Sequence, residues 1–294
     1  MEALDLIRIT VSFFILAIAS ISDWKTRTVS DSYWIFLGST ALIALFCEIL
    51  ISGLDILYSI YLIPLAVIFY DLFWERRGIF EDGINVVPLF LYILSFLIVI
   101  YLLIEFWYDS FMWHLMTVVL MFGIIILFYQ LDIIKGGADA KALLALSIMF
   151  PMYPTVHTLP IIEIPNQINE IIFPFSLLIL FNAALLTISV PISLFIYNLA
   201  KGDRKFPVMF FGYKEKVENV RFKFVWPLEF IEENKRRLSL FPKASDSSEF
   251  DVEVFRRMGV EKIWVTPKIP FLIPITVSLV VSSVIGNPIF LLTS

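Results

Sequence analysis

Cysteine is nearly missing from this 294-residue chain: Cys47 stands alone, inside an apolar run. A single thiol excludes an intramolecular disulfide and any cysteine-built metal site. Histidine is almost as scarce. His114 and His157 are too few for a histidine-based metal centre without several carboxylates, so no metal or other cofactor is expected. Charge is also thin, with 17% Asp, Glu, Lys and Arg and a net charge of −5, which argues against nucleic acid as a partner. No Gly-rich phosphate loop and no internal repeat are present. The first apolar run lacks a basic n-region and a small-x-small cleavage site, so it is read as a retained helix and not a signal peptide.

What fills the chain instead is apolar: 59% of residues are hydrophobic and 16% aromatic. That excess fits a chain solvated by lipid. Runs of roughly 20 apolar residues, the length a spanning helix needs, fall at about 4–22, 33–53, 55–73, 86–106, 111–131, 173–200 and 268–291. An eighth stretch, 139–158, is weaker. It opens with Asp139 and Lys141, meets Pro151 and Pro154, and reads as a short helix packed deep in protein.

The basic residues orient these runs. If all eight cross, residues 23–32, 74–85, 132–141 and 201–267 share one face, which with Lys268 at its border holds 21 of the 22 Lys and Arg residues. The loops at about 54, 107–110 and 159–172 hold none, and Arg8 is the one exception. Cytoplasmic loops carry the Lys and Arg excess, so the basic face is the cytoplasmic one and both termini lie outside. Trp24, Tyr33 and Trp107 read as interface anchors. The expected fold is therefore all-α in the membrane, with about eight transmembrane segments and a small cytoplasmic α+β insert. Its parts are a core over 1–200, a soluble insert over 201–267 and a final helix over 268–294. In the insert, the alternation Arg221-Phe222-Lys223-Phe224-Val225-Trp226 predicts a strand, and 244–248 a loop.

Two carboxylates stand out, because an ionisable residue at the end of a membrane helix is a functional candidate by default. Asp23 closes the first helix, in Ser22-Asp23-Trp24-Lys25-Thr26-Arg27. Asp139 opens the eighth stretch, in Lys135-Gly136-Gly137-Ala138-Asp139-Ala140-Lys141. Both fall on the basic face. Two carboxylates at one depth are what an aspartic peptidase requires: one activates water, the other polarises the scissile carbonyl, and the pair titrates as a unit. Gly136, Gly137 and Ala138 leave room for an extended substrate backbone beside Asp139. Each carboxylate has a plainer reading: Asp23 as one interfacial charge among several, Asp139 as a helix N-cap. Asp132 reads as an interfacial helix end, and Asp71 and Asp82 as members of a solvated loop. Lys25, Arg27 and Lys141 read as topology signals near lipid phosphates; the alternative for Lys141 is a place beside the carboxylates, where it would lower a carboxylate pKa.

These motifs resemble the type IV prepilin and preflagellin (prearchaellin) peptidases, particularly the archaeal branch, which belong to the Gly-x-Gly-Asp membrane aspartic peptidases. The likeness rests on Asp23–Arg27 and Gly136–Ala145, and on the late segment Trp264-Val265-Thr266-Pro267-Lys268-Ile269-Pro270-Phe271. It differs from the family pattern in having Ala138 at the third motif position. The resemblance implies catalysis by Asp23 and Asp139, with Gly136, Gly137, Ala138 and Lys141 supporting the motif and substrate approach. It also implies partners: membrane-inserted precursors carrying a short basic pilin-like leader, cut at the cytoplasmic face of the cell membrane. The competing reading is an ion-coupled transporter whose aspartates carry protons or sodium, though such proteins often show repeats. A scaffold that docks a partner through 201–267 is the third.

Overall fold

The computed structural model describes residues 1–80, 83–134, 136–162, 173–232, 235–240, 251–286 and 288. Lys135, Asp82, the 244–248 loop and most of the 159–172 loop lie outside the described residues. The chain divides into two compact units, one of residues 1–183 with 270–294, the other of 184–269.

The first unit is helical: α1 (Glu2–Thr26), α2 (Asp31–Ile51), a 3₁₀ segment (Ile56–Tyr61) running into α3 (Leu62–Asp71), α4 (Val86–Glu105), α5 (Ser110–Gln130), α6 (Gly137–Met149), α7 (Phe175–Thr187) and, near the end of the chain, α10 (Leu272–Val284). Helix α8 (Ser189–Lys201) continues α7 after a break at Ile188, and Phe175–Lys201 together form one apolar stretch of 27 residues. Among the described residues, five segments are long and apolar enough to cross a membrane: α1, α2, α4, α5 and α7–α8. The protein is thus a multi-pass membrane protein.

The other three expected spans are shorter helices. Residues Ile56–Asp71 and Leu272–Val284 are apolar but brief. Helix α6 has 13 residues, about 20 Å at 1.5 Å per residue, against a hydrocarbon core about 30 Å thick. It ends at Phe150, directly before Pro151, and every residue from Asp139 to Met149 except Lys141 is buried. Its C-terminal end is sheltered by protein, with Met149, Phe150 and Pro151 buried, and backbone that ends at membrane depth needs such cover. It packs against α2 and α5 and touches α1. Gly38 lets α2 and α3 approach closely, since a Cβ there would lie 2.1 Å from the Phe69 ring.

Asp71 departs from the expectation of a solvated loop. It ends α3, receives the Arg76 guanidinium at 2.8 and 2.9 Å, and accepts the Tyr92 hydroxyl at 2.7 Å, closing α3 onto α4. Arg8, the one basic residue off the basic face, is buried.

The second unit holds an antiparallel sheet in the order β1–β5–β2, built from β1 (Tyr213–Lys216), β2 (Val225–Pro227) and β5 (Lys262–Pro267). A separate hairpin pairs β3 (Glu229–Glu232) with β4 (Lys235–Leu238), and α9 (Val252–Arg257) precedes β5. Tyr213 faces Val265 and Trp226 faces Thr266 in the sheet register. The strand expected over 221–226 is reduced to β2, because residues 217–222 form a 3₁₀ turn. Val217 and Val220 both enter the core of this unit; their spacing of three suits a 3₁₀ turn, where such residues eclipse, and not the period of two of a strand.

Glu215 on β1 ties this unit to solution pH. Burial pushes its carboxyl up, but the Lys223 ammonium, the Asn219 amide and the Lys216 N–H outweigh that and hold it below its ordinary 4.5. A depressed carboxyl contributes stability above its unfolded pKa and loses it as pH falls through the folded one. Protease resistance of this unit in the full chain is expected to fall below about pH 4.5, and Glu215→Gln to weaken that fall; an unchanged acid profile would contradict the assignment.

Candidate active site

Asp23 is placed by the way α1 ends. Arg27 caps the helix in a left-handed conformation (φ 58°) and returns its N–H to the Asp23 carbonyl at 3.0 Å. The reversal is held by side chains: the Ser22 and Thr26 hydroxyls both donate to the Thr28 carbonyl, at 3.1 and 3.0 Å. Ser30 then caps α2, accepting the Ser32 N–H at 3.3 Å. Asp23 is left half-buried on the last turn of α1, with the Arg27 guanidinium within electrostatic reach.

Asp139 is placed by the start of α6. Gly136 occupies the N-cap, so Asp139 is the third residue of the helix and not its cap, which corrects the plainer reading. Its carboxyl folds back over the glycine: a Cβ on Gly136 would lie 2.2 Å from Asp139 Oδ2. Only glycine permits this approach. The first turn of a helix also favours a negative charge. Asp139 is 8% exposed, and its Oδ1 is buried with no hydrogen-bond partner among the described residues. A buried polar atom without a partner is costly and calls for an explanation. A substrate group or water at that oxygen provides one.

The helices that carry the two carboxylates meet. Asp23 and Asp139 are close enough for their charges to act on one another, and α1 touches α6. Gly137 faces the Tyr129 hydroxyl at a longer range, 3.7 Å from where its Cβ would be, and Ala138 is half-buried beside it. Lys141 has partners of its own. Its ammonium pairs with Asp31 at 2.6 Å and lies 4.9 Å from the centre of the Phe73 ring. It latches the start of α6 to the start of α2. Asp31 was not singled out in the sequence, since an acid in the first turn of a helix is ordinary there. Asp132 is exposed in the turn after α5, as a helix-end residue would be. Trp24 and Trp107 are exposed at helix ends, in keeping with interface anchors.

Residues 204–287 match the model of the archaeal peptidase A24 C-terminus, type II. Over 163 residues the chain is 33% identical to a preflagellin peptidase of Methanocaldococcus jannaschii, and over 162 residues 29% identical to one of Methanococcus voltae. The chain is thus similar, over part of its length, to archaeal A24 and preflagellin peptidases. It spans just under two thirds of those two relatives, 64% and 65% of their length, and each alignment takes in 52% of this chain. Another relative, an uncharacterized protein of Methanocaldococcus jannaschii, is 25% identical over 276 residues, covering 92% of this chain and 89% of its own.

Proposed function

We propose that this protein is a membrane aspartic endopeptidase that removes the short basic leader from archaeal flagellin or pilin-like precursors at the cytoplasmic face. The observation that carries the reading is the placement of Asp23 and Asp139 on touching helices, within electrostatic reach of one another, the latter with a buried carboxyl oxygen that has no partner among the described residues. Similarity to preflagellin peptidases supports the substrate class.

The chemistry needs two carboxyl groups and one water. Asp23, half-open to solvent, accepts a proton from the water as its oxygen attacks the scissile carbonyl carbon. Asp139, enclosed by α6 and its neighbours, donates a proton to the carbonyl oxygen. Collapse of the tetrahedral intermediate breaks the C–N bond: the departing amine takes the proton held by Asp23, and a hydroxyl of the intermediate returns its proton to Asp139 as the carboxyl product forms. The pair then shares one proton again, as two like charges in one site must. The bare turn at Gly136–Ala138 gives an unwound substrate strand access to this point. The basic residues collected on the proposed cytoplasmic face serve orientation in the membrane.

The test is direct. Membranes containing the wild-type protein are incubated with a preflagellin and with a pilin-like precursor. A mobility shift with a new N-terminus immediately before the hydrophobic segment is the expected result. Absence of processing of both precursors by correctly inserted protein would sink the proposal.

A further inference from the structure

At the far end of α1 from Asp23 lies a set of charges that the chemistry above does not use. Arg8 is 3% exposed and Glu48, on α2, is 1% exposed; their side chains meet at 2.6 Å. The same guanidinium approaches Asp5 at 3.5 Å, and the other Asp5 oxygen accepts the Thr155 N–H at 3.2 Å. Three segments are thereby joined: α1, α2 and the chain that follows α6. The set is incompletely satisfied, because Arg8 Nε, Glu48 Oε1 and the nearby Ser12 hydroxyl have no partner among the described residues.

Buried ion pairs of this kind are poor stabilisers, and apolar side chains of similar size commonly replace them without loss. Their best-attested use is to fix register. Register is what a split catalytic pair requires. The buried stripe of α1 runs through Asp5, Arg8, Ser12, Leu16, Ala19 and Ser20, and one further helical step reaches Asp23. Arg8 and Asp23 thus share a face, about 22 Å apart along a rigid rod. Asp139 begins α6, and Thr155 lies just beyond the other end of that helix. A slip of one helical turn at the Arg8 end would displace one carboxylate from the other by about 5.4 Å.

We infer that Asp5, Arg8 and Glu48 are positioning residues that set the height and rotation of α1, and so hold Asp23 opposite Asp139. This rests on the peptidase reading, but its geometric part can be tested without activity. Helix register is read by cross-linking of an Asp23→Cys/Asp139→Cys pair, in full-length protein carrying Cys47→Ser, with a short bifunctional maleimide. The network is then removed by Asp5→Asn/Arg8→Met/Glu48→Met. The expected result is a lower cross-linking yield at 23/139 in protein that remains inserted and protease-resistant. With Asp23 and Asp139 intact, the same triple variant should lose about 100-fold in kcat with KM nearly unchanged, and Arg8→Lys should recover part of it. Should the triple variant misfold, Arg8→Lys, which keeps the charge but not the fork, is expected to show a smaller kcat loss of the same kind. Unchanged cross-linking together with wild-type kcat in either folded variant would overturn the inference. Changed cross-linking with no cleavage by any form, wild type included, would instead fault the peptidase reading alone.

Discussion

Asp139→Asn is expected to abolish leader cleavage, with a fall of about 10²- to 10⁴-fold, while insertion and protease resistance stay as in the wild type. The physical reason is that asparagine keeps the shape of the side chain but can neither hold nor release the proton. Because Asp139 Oδ1 has no partner in the described structure, the substitution breaks no internal hydrogen bond at that atom. Asp23→Asn should cost as much, and the double variant little more than either single one, since residues that act as a unit are strongly non-additive. Gel mobility of a precursor, followed over time with each variant, measures this. Normal processing by folded Asp139→Asn protein, in cells lacking other copies of the enzyme, would rule out the proposed roles.

Gly136→Ala should lose activity by about 100-fold with little loss of stability. The added Cβ would sit 2.2 Å from Asp139 Oδ2 and 2.9 Å from its Cγ. Something must yield, and the atoms in the way are the end of a side chain, which can rotate at modest cost. The helix therefore survives; the carboxyl is what moves. A displacement of about 1 Å at a reacting group is enough for a loss of this size. Since Gly136 has an ordinary extended conformation (φ −94°, ψ 121°), backbone strain would not explain the result. The informative comparison is Gly137→Ala, where the nearest atom is 3.7 Å away and near-normal activity is expected. Equal losses at the two positions would argue that the turn, and not the Asp139 carboxyl, is what the substitutions disturb.

The sequence by itself determined the medium and the cast of residues. Apolar runs and the placement of Lys and Arg identify a multi-pass membrane protein, because backbone groups in lipid must be satisfied within helices. Asp23 and the Gly136–Asp139 turn were singled out for a related reason: a carboxylate at the border of such a run is costly and so a functional candidate by default. The doubtful 139–158 stretch also read correctly as a short, deeply packed helix, since Pro151 ends it early.

Pairings across the fold were beyond reach of the pattern. Lys141 stands two residues from Asp139, so proximity along the chain suggested a partner, yet the bundle hands its ammonium to Asp31, 110 residues away in sequence. Asp71 sat beside a cluster of charges and looked solvated; the packing of α3 on α4 gave it Arg76 and Tyr92. Arg8 was the one cation that broke the charge rule. Only the tertiary structure decided why: it is inside, held by Glu48 and Asp5. Composition and periodicity report what a residue costs to bury, whereas the partner that offsets the cost is chosen by how the helices dock.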